Sequence, residues 1–250
     1  MTLATLVLAL AATAADAPAA EPKALALATQ VMQALGGDEA WRRTRFLRFD
    51  FAVESEGKIV MSRSHYWDKW NGRYRVEGKT KEGKPFLVLM NLNSREGSAW
   101  QDGKPAEGDL KKELLERGYA VWVNDTYWLL MPYKLQDPGV RLRLEGSAKV
   151  GEADCEKLAL SFEAVGLTPK DRYWAFVNRE THLVDRWEYI LQDEKGPATR
   201  WDWKGWKTYG KIQLAAERVN EKAKRRILFP VLDVPAGMAD VVFTQPGAAR

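Results

Sequence analysis

Hydrophobic residues recur at every second position over most of this chain, in runs of about six to ten residues divided by turn-forming pairs. Leu47, Phe49, Phe51 and Val53 alternate with Arg48, Asp50 and Glu54. A period of two sends alternate side chains to opposite faces of a pleated strand, so the run predicts a half-buried strand. Ile59 to Trp67, Arg73 to Lys79, Pro85 to Asn93 and Ser98 to Asp102 follow, spaced by Glu56-Gly57-Lys58, Asn71-Gly72 and Glu82-Gly83-Lys84. Asn-Gly is a strong hairpin signal, and closely spaced hairpins imply an antiparallel meander. A second series spans Val140 to Glu145, Glu156 to Phe162, Arg172 to Asn178, Leu183 to Gln192, Thr199 to Trp206, Ile212 to Asn220 and Arg226 to Val231. Here Trp187 and Tyr189 oppose Arg186 and Glu188, while Trp201 and Trp203 oppose Arg200, Asp202 and Lys204. One sheet face is therefore rich in the chain's eleven Trp and eight Tyr. Such rings bury large apolar areas and line ligand cavities, while their polar tips still need partners.

Two segments have the helical period instead. Ala24 to Leu35 carries Leu25, Ala28, Val31, Met32 and Leu35 near one stripe and stops at Gly36-Gly37, after which Asp38 caps a short turn through Trp41. Asp109 to Leu130 places Leu110, Leu114, Tyr119, Val121, Trp122 and Leu129 against Lys111, Lys112, Glu113, Glu116 and Arg117. It predicts a helix with Asp109 as N-cap and a break near Gly118, ended by Pro132 and Asp137-Pro138-Gly139. The stretch from Asn124 to Gly139 must cover apolar surface, and Asp125 and Lys134 are expected to pair or tether its turn.

Met1 to Ala20 is an apolar run ending in small residues, with an Ala-x-Ala site at Ala15 and Ala17, and reads as a secretory signal peptide too short to span a bilayer. The organisation expected is a signal peptide over 1–20, one domain over 21–243 and a frayed tail over 244–250. Cys155 is the only cysteine, so no internal disulfide forms and stability rests on the core. The net charge of +4 comes from interspersed residues, with one basic cluster at Lys222-Ala223-Lys224-Arg225-Arg226. That cluster reads either as a solvated turn or as an attraction to anionic lipid head groups, and an exported location argues against nucleic acid. His65 and His182 stand outside any metal-spacing motif and are expected at unrelated surface or turn positions. Nucleophile elbow, phosphate loop and dinucleotide fingerprint are absent. No catalytic residue, metal site or cofactor is assigned.

The run Tyr127-Trp-Leu-Leu-Met-Pro-Tyr-Lys-Leu-Gln-Asp-Pro-Gly-Val140, a Cys155-x-x-Leu158 strand, Arg172 to Glu188 and the Trp201 to Val219 pair resemble an uncharacterised family of exported bacterial proteins (DUF6503-like). That family is similar to the outer-membrane lipoprotein-sorting carriers LolA and LolB. The resemblance implies a mainly β (α+β) fold: a curved antiparallel sheet forming an incomplete β-barrel, with helices covering its open side. It also implies an apolar interior that in the carriers accepts acyl chains, a periplasmic location and no catalytic residues.

Three functions are weighed. The first is an exported binding protein for an apolar ligand, a lipid or lipoprotein acyl chain, lined by Trp122, Tyr127, Trp128, Trp187, Trp201 and Trp203. The second is an envelope scaffold with a filled core that binds a protein partner, and the third is a hydrolase using a carboxylate or His65. No nucleic acid and no integral membrane segment of the mature chain is expected.

Overall fold

The computed structural model describes residues 21–162, 171–192 and 194–247. The expected signal peptide and the last three residues of the expected tail lie outside them. Helix α1 (Pro22–Ala34) and helix α2 (Gly37–Arg43) precede a first meander of β1 (Phe46–Ser55), β2 (Lys58–Asp68), β3 (Arg73–Lys79), β4 (Pro85–Asn91), β5 (Gly97–Gln101) and β6 (Lys104–Pro105). Helix α3 (Gly108–Leu130) and a 3-10 turn (Met131–Lys134) lead to β7 (Val140–Val150), β8 (Ala153–Phe162), β9 (Arg172–Asn178), β10 (Val184–Ile190), β11 (Thr199–Tyr209), β12 (Ile212–Asn220) and β13 (Arg225–Leu228). Strand β14 (Leu232–Asp233) and helix α4 (Val241–Thr244) follow.

Among the described residues the strands form one antiparallel sheet in the order β6-β5-β4-β3-β2-β1-β13-β12-β11-β10-β9-β8-β7, with β14 also paired to β1. Every neighbour is adjacent in sequence except at β1, which meets β13 and β14. The free edges are β6 and β7, so the curved sheet is an open barrel, and α3 is the connection that bridges them. At about 1.5 Å per residue its 23 residues span roughly 35 Å.

Cross-strand register aligns the buried side chains into rows. Ala99, Val88, Val76, His65 and Phe49 are successive partners from β5 to β1. In the second meander Ile227, Arg218 and Trp203 are partners from β13 to β11, and Trp201, Trp187, Ala175, Leu158 and Leu144 from β11 to β7. All but Leu144 are buried, and α3 runs across this face, touching β4 and β5 with one part and β12 with another.

Local chemistry explains how α3 lies so close. It does not break at Gly118: a Cβ there would stand 2.9 Å from Val88 Cγ1, so glycine is what lets the helix backbone approach β4. The N-cap position is Glu107 rather than Asp109, which sits in the first turn. In α1 the buried stripe is Ala24, Leu27, Ala28, Val31 and Met32, leaving Leu25 exposed. Gly36 ends that helix at φ +112°, where any Cβ would lie 2.3 Å from the Lys211 carbonyl oxygen. The 3-10 turn is pinned by Tyr133, whose hydroxyl reaches the Leu35 and Gln213 carbonyls at 2.9 and 2.7 Å and whose ring stacks on Trp41. The chain end crosses the outer side of the sheet. There the buried Arg75 donates to the carbonyls of Val242, Gln245 and Pro246, so the segment from Thr244, expected to fray, is held at least to Pro246.

Candidate binding face beneath helix α3

The inner face divides into an aromatic region and a polar one, both roofed by α3. Phase decides which residues reach it: Trp201 and Trp203 share a side of β11, and Tyr127 and Trp128 leave the last turn of α3 towards them. Trp128 lies 4.7 Å from Trp187 and 5.1 Å from Trp201 between ring centroids. Tyr127 meets Trp187 edge-on at 5.4 Å, and Trp187 is 6.1 Å from Trp203. Five of the six residues named from sequence are therefore in one cluster. The sixth, Trp122, is one to two turns earlier and packs edge-on against Trp67 at 5.5 Å. Sequence reading missed Tyr173 and Tyr189, which close the cluster around Trp187 at 5.4 and 5.9 Å. Clefts of about 330 and 810 Å³ run along β7 to β9 and along the flank of α3, and of the cluster only Tyr173 reaches either, lining the first.

The indole N–H groups of Trp122, Trp187 and Trp203 are buried and have no acceptor among the described residues. A buried donor left in that state costs about 1–3 kcal/mol. The aromatic face is thus well packed in apolar contact but unsatisfied in hydrogen bonding.

Arg218 completes the region. It is fully buried, lies 3.5 Å over the Trp203 ring, and donates to the Trp128 carbonyl at 3.1 and 2.8 Å and to the Leu129 carbonyl at 3.4 Å. The last carbonyls of a helix have no partner within it and carry the negative end of its dipole, so a cation there both caps and anchors α3. Burial draws the guanidinium well below its ordinary proton affinity.

The polar region is a chain of buried groups under the C-terminal third of α3, around Asp125. Asp125 accepts two bonds from Arg63, at 2.7 and 2.8 Å, and one from the Asn124 side chain at 2.8 Å. His65 Nε2 stands 3.0 Å from Asp125 Oδ2, a close but poorly aligned contact, while Nδ1 is 2.7 Å from the Tyr74 hydroxyl. Phe49 stacks on the imidazole at 4.4 Å. A carboxylate only accepts, so Nε2 carries the proton and Tyr74 donates to Nδ1. Burial pushes the Asp125 carboxyl up, but His65 and Arg63 together outweigh it and hold it below the ordinary value. Burial also lowers His65 despite Asp125, and raises Tyr74 well above the phenol range.

Two sequence expectations are corrected here. Asp125 does not tether Lys134, which pairs with Asp137 at 3.0 Å; its partners come from β2, across the inner face. His65 is no surface residue but fully buried, whereas His182 does lie in a turn, at φ +54°. Among the described residues no group of three His, Cys, Asp or Glu side chains could hold a metal, and no helix is long and apolar enough to cross a membrane.

No family model and no curated protein matches the sequence. Solved structures do match. A DUF1329 family protein from Desulfovibrio piger superposes with a TM-score of 0.51 at 15% identity, over 88% of this chain and 95% of that one. A LolA superfamily protein from Nitrosomonas europaea gives 0.49 at 10% identity, over 87% and 97%. A putative outer membrane lipoprotein-sorting protein domain from Vibrio parahaemolyticus gives 0.47 at 11% identity, over 88% and 96%. The chain shares its fold with the DUF1329 protein, and the incomplete antiparallel barrel with a helix over its open side, anticipated from sequence, is the fold found.

Proposed function

We propose that this is an exported, non-catalytic protein that binds an apolar ligand, a lipid or acyl chain, between the aromatic inner face and α3. Trp122, Tyr127, Trp128, Trp187, Trp201 and Trp203 line the site. The observation that carries the reading is the set of buried indole donors without acceptors, since a filled core has no use for them and a ligand with ester or carboxyl oxygens does. The rings make contact with one another, so an acyl chain enters by swinging Tyr127 and Trp128 off Trp187 and Trp201.

The non-catalytic part of the reading is supported by the burial of the one acid–base constellation. His65, Asp125 and Tyr74 have at most 1% exposure and line neither of the two clefts along β7 to β9 and α3, whereas general acid–base chemistry needs the proton's partner within reach. Organic extraction of protein purified from its native envelope, followed by mass spectrometry, is expected to release lipid in near-stoichiometric amount. Trp187→Ala with Trp201→Ala is expected to abolish uptake of a fluorescent fatty acid. Empty extracts together with no uptake by the unaltered chain would favour a scaffold with a closed core.

A further inference from the structure

Two hairpin tips lie side by side at one end of the barrel. Ser55, the last residue of β1, pairs with Lys58 of β2 on one side and with Arg225 of β13 on the other. The backbone N–H of Glu56 also donates to the Lys224 carbonyl at 3.0 Å. The turn of the first hairpin is thereby fixed against the basic cluster that the binding site leaves unused.

The first tip has an unusual surface. Register runs from Val53 opposite Met61 to Glu54 opposite Ile59, so Val60 is the extra residue of a β-bulge. The bulge breaks the alternation that would have turned one of two successive side chains inward. Ile59 and Val60 are consequently 54% and 60% exposed, while Met61 returns to the core. Strand β3 pairs with β2 only from Arg63 onward, so the tip projects past its neighbour by four or five residues, about 15 Å.

Lys58, Lys222, Lys224 and Arg225 are all exposed and, among the described residues, none is ion-paired. Arg226 is different, being held by Glu54 and Glu217. The acids at the two turns are Glu56 and Glu221, which leaves an excess of positive charge around the two aliphatic side chains.

We infer that the paired tips of the β1–β2 and β12–β13 hairpins are a docking surface for an anionic phospholipid membrane. Ile59 and Val60 enter the headgroup boundary, and Lys58, Lys222, Lys224 and Arg225 meet lipid phosphates. A projecting tip with two small aliphatic side chains amid cations matches a soft anionic surface, into which they insert. It offers a poor template to another strand, because Lys58 at its end and the bulge at Val60 oppose pairing along that free edge. Docking there is independent of whether the inner face holds a ligand.

The test uses the full chain and two kinds of vesicle, phosphatidylcholine alone and phosphatidylcholine with phosphatidylglycerol. Co-sedimentation is expected with the anionic vesicles only, and to be reversed by high salt. Lys222→Ala with Lys224→Ala is expected to weaken it roughly thirtyfold, at about 1 kcal/mol per lysine near a charged surface. A polarity-sensitive dye on Ile59→Cys is expected to shift to the blue on the anionic vesicles; the native Cys155 is buried and escapes labelling. All substituted positions are exposed, so unchanged melting is the control for folding. Equal binding to neutral vesicles, no effect of the lysine changes, or a dye that stays in water would each overturn the inference. So would self-association in the absence of lipid that Ile59→Ser with Val60→Ser abolishes, because the tip would then serve strand pairing.

Discussion

Replacing Asp125 by Asn tests how α3 is fastened to the sheet. The substitution keeps the shape of the side chain but removes the charge that Arg63 and His65 face. Arg63 has only 14% side-chain exposure, so its guanidinium is left in a poorly hydrated site with one acceptor oxygen in place of a carboxylate. Removing one member of a buried ion pair costs about 3–5 kcal/mol. The residual exposure of Arg63 and the retained amide oxygen argue for the lower end, about 3 kcal/mol. For a chain of this size that is a fall in melting temperature of roughly 6–12 °C. Circular dichroism against temperature and urea reads it directly. Arg63→Met with Asp125→Leu is expected to regain at least half of the loss, because apolar residues of similar volume often replace a buried pair at little cost. A loss below about 1 kcal/mol in Asp125→Asn, or a double variant as unstable as the single one, would refute the claim that the charge pair holds the helix.

The same cluster sets a pH dependence. Folding lowers the proton affinity of His65, so below about pH 6.5 the unfolded chain takes up a proton that the folded chain does not. Stability is then full above that value and falls with pH by about 1.4 kcal/mol per unit until the lower folded value is reached. Asp125, also lowered, adds its own loss only below the ordinary carboxylate range. Urea titrations between about pH 6.5 and 4.5 should show the slope, and His65→Gln should flatten it; a flat profile in the unaltered chain would contradict the buried-histidine account. Gly118→Ala is expected to destabilise by about 1–2 kcal/mol despite alanine's better helix propensity, because its Cβ meets Val88. Adding Val88→Ala should relieve the clash, and a stabilised Gly118→Ala would show that α3 does not lie as close as described.

Much of this arrangement was legible in alternation alone. The phase of Leu47, Phe49 and Phe51 fixed the inner side of β1, and that of Trp201 and Trp203 the inner side of β11. The polar half was equally in phase, since Arg63 and His65 share the face of Met61 and Trp67, and Arg218 that of Ile212 and Leu214. It was overlooked because a charged residue in an amphipathic pattern is normally assigned to solvent, and only α3 lying overhead supplies the partners that reverse the assignment. Asp125 was paired with Lys134 for the same reason: closeness in sequence is visible, whereas Arg63 and His65 come from another strand. The continuity of α3 through Gly118 could not be read either, because a glycine that breaks a helix and one that admits a neighbouring strand look alike until that strand is in place.

The seam where β1 meets β13 and β14 has a consequence for how the chain acquires its shape. Each half of the sheet is made of neighbours in sequence, and such local contacts close quickly. Joining the halves instead requires residues from opposite ends of the chain to find one another over a junction only four residues long in β13. That junction is the step with the largest loop-closure cost, so it forms late and opens early. A newly made first half therefore waits with β1 as an unpaired edge until the last strands emerge, and this interval is when the protein is most exposed to wrong pairing.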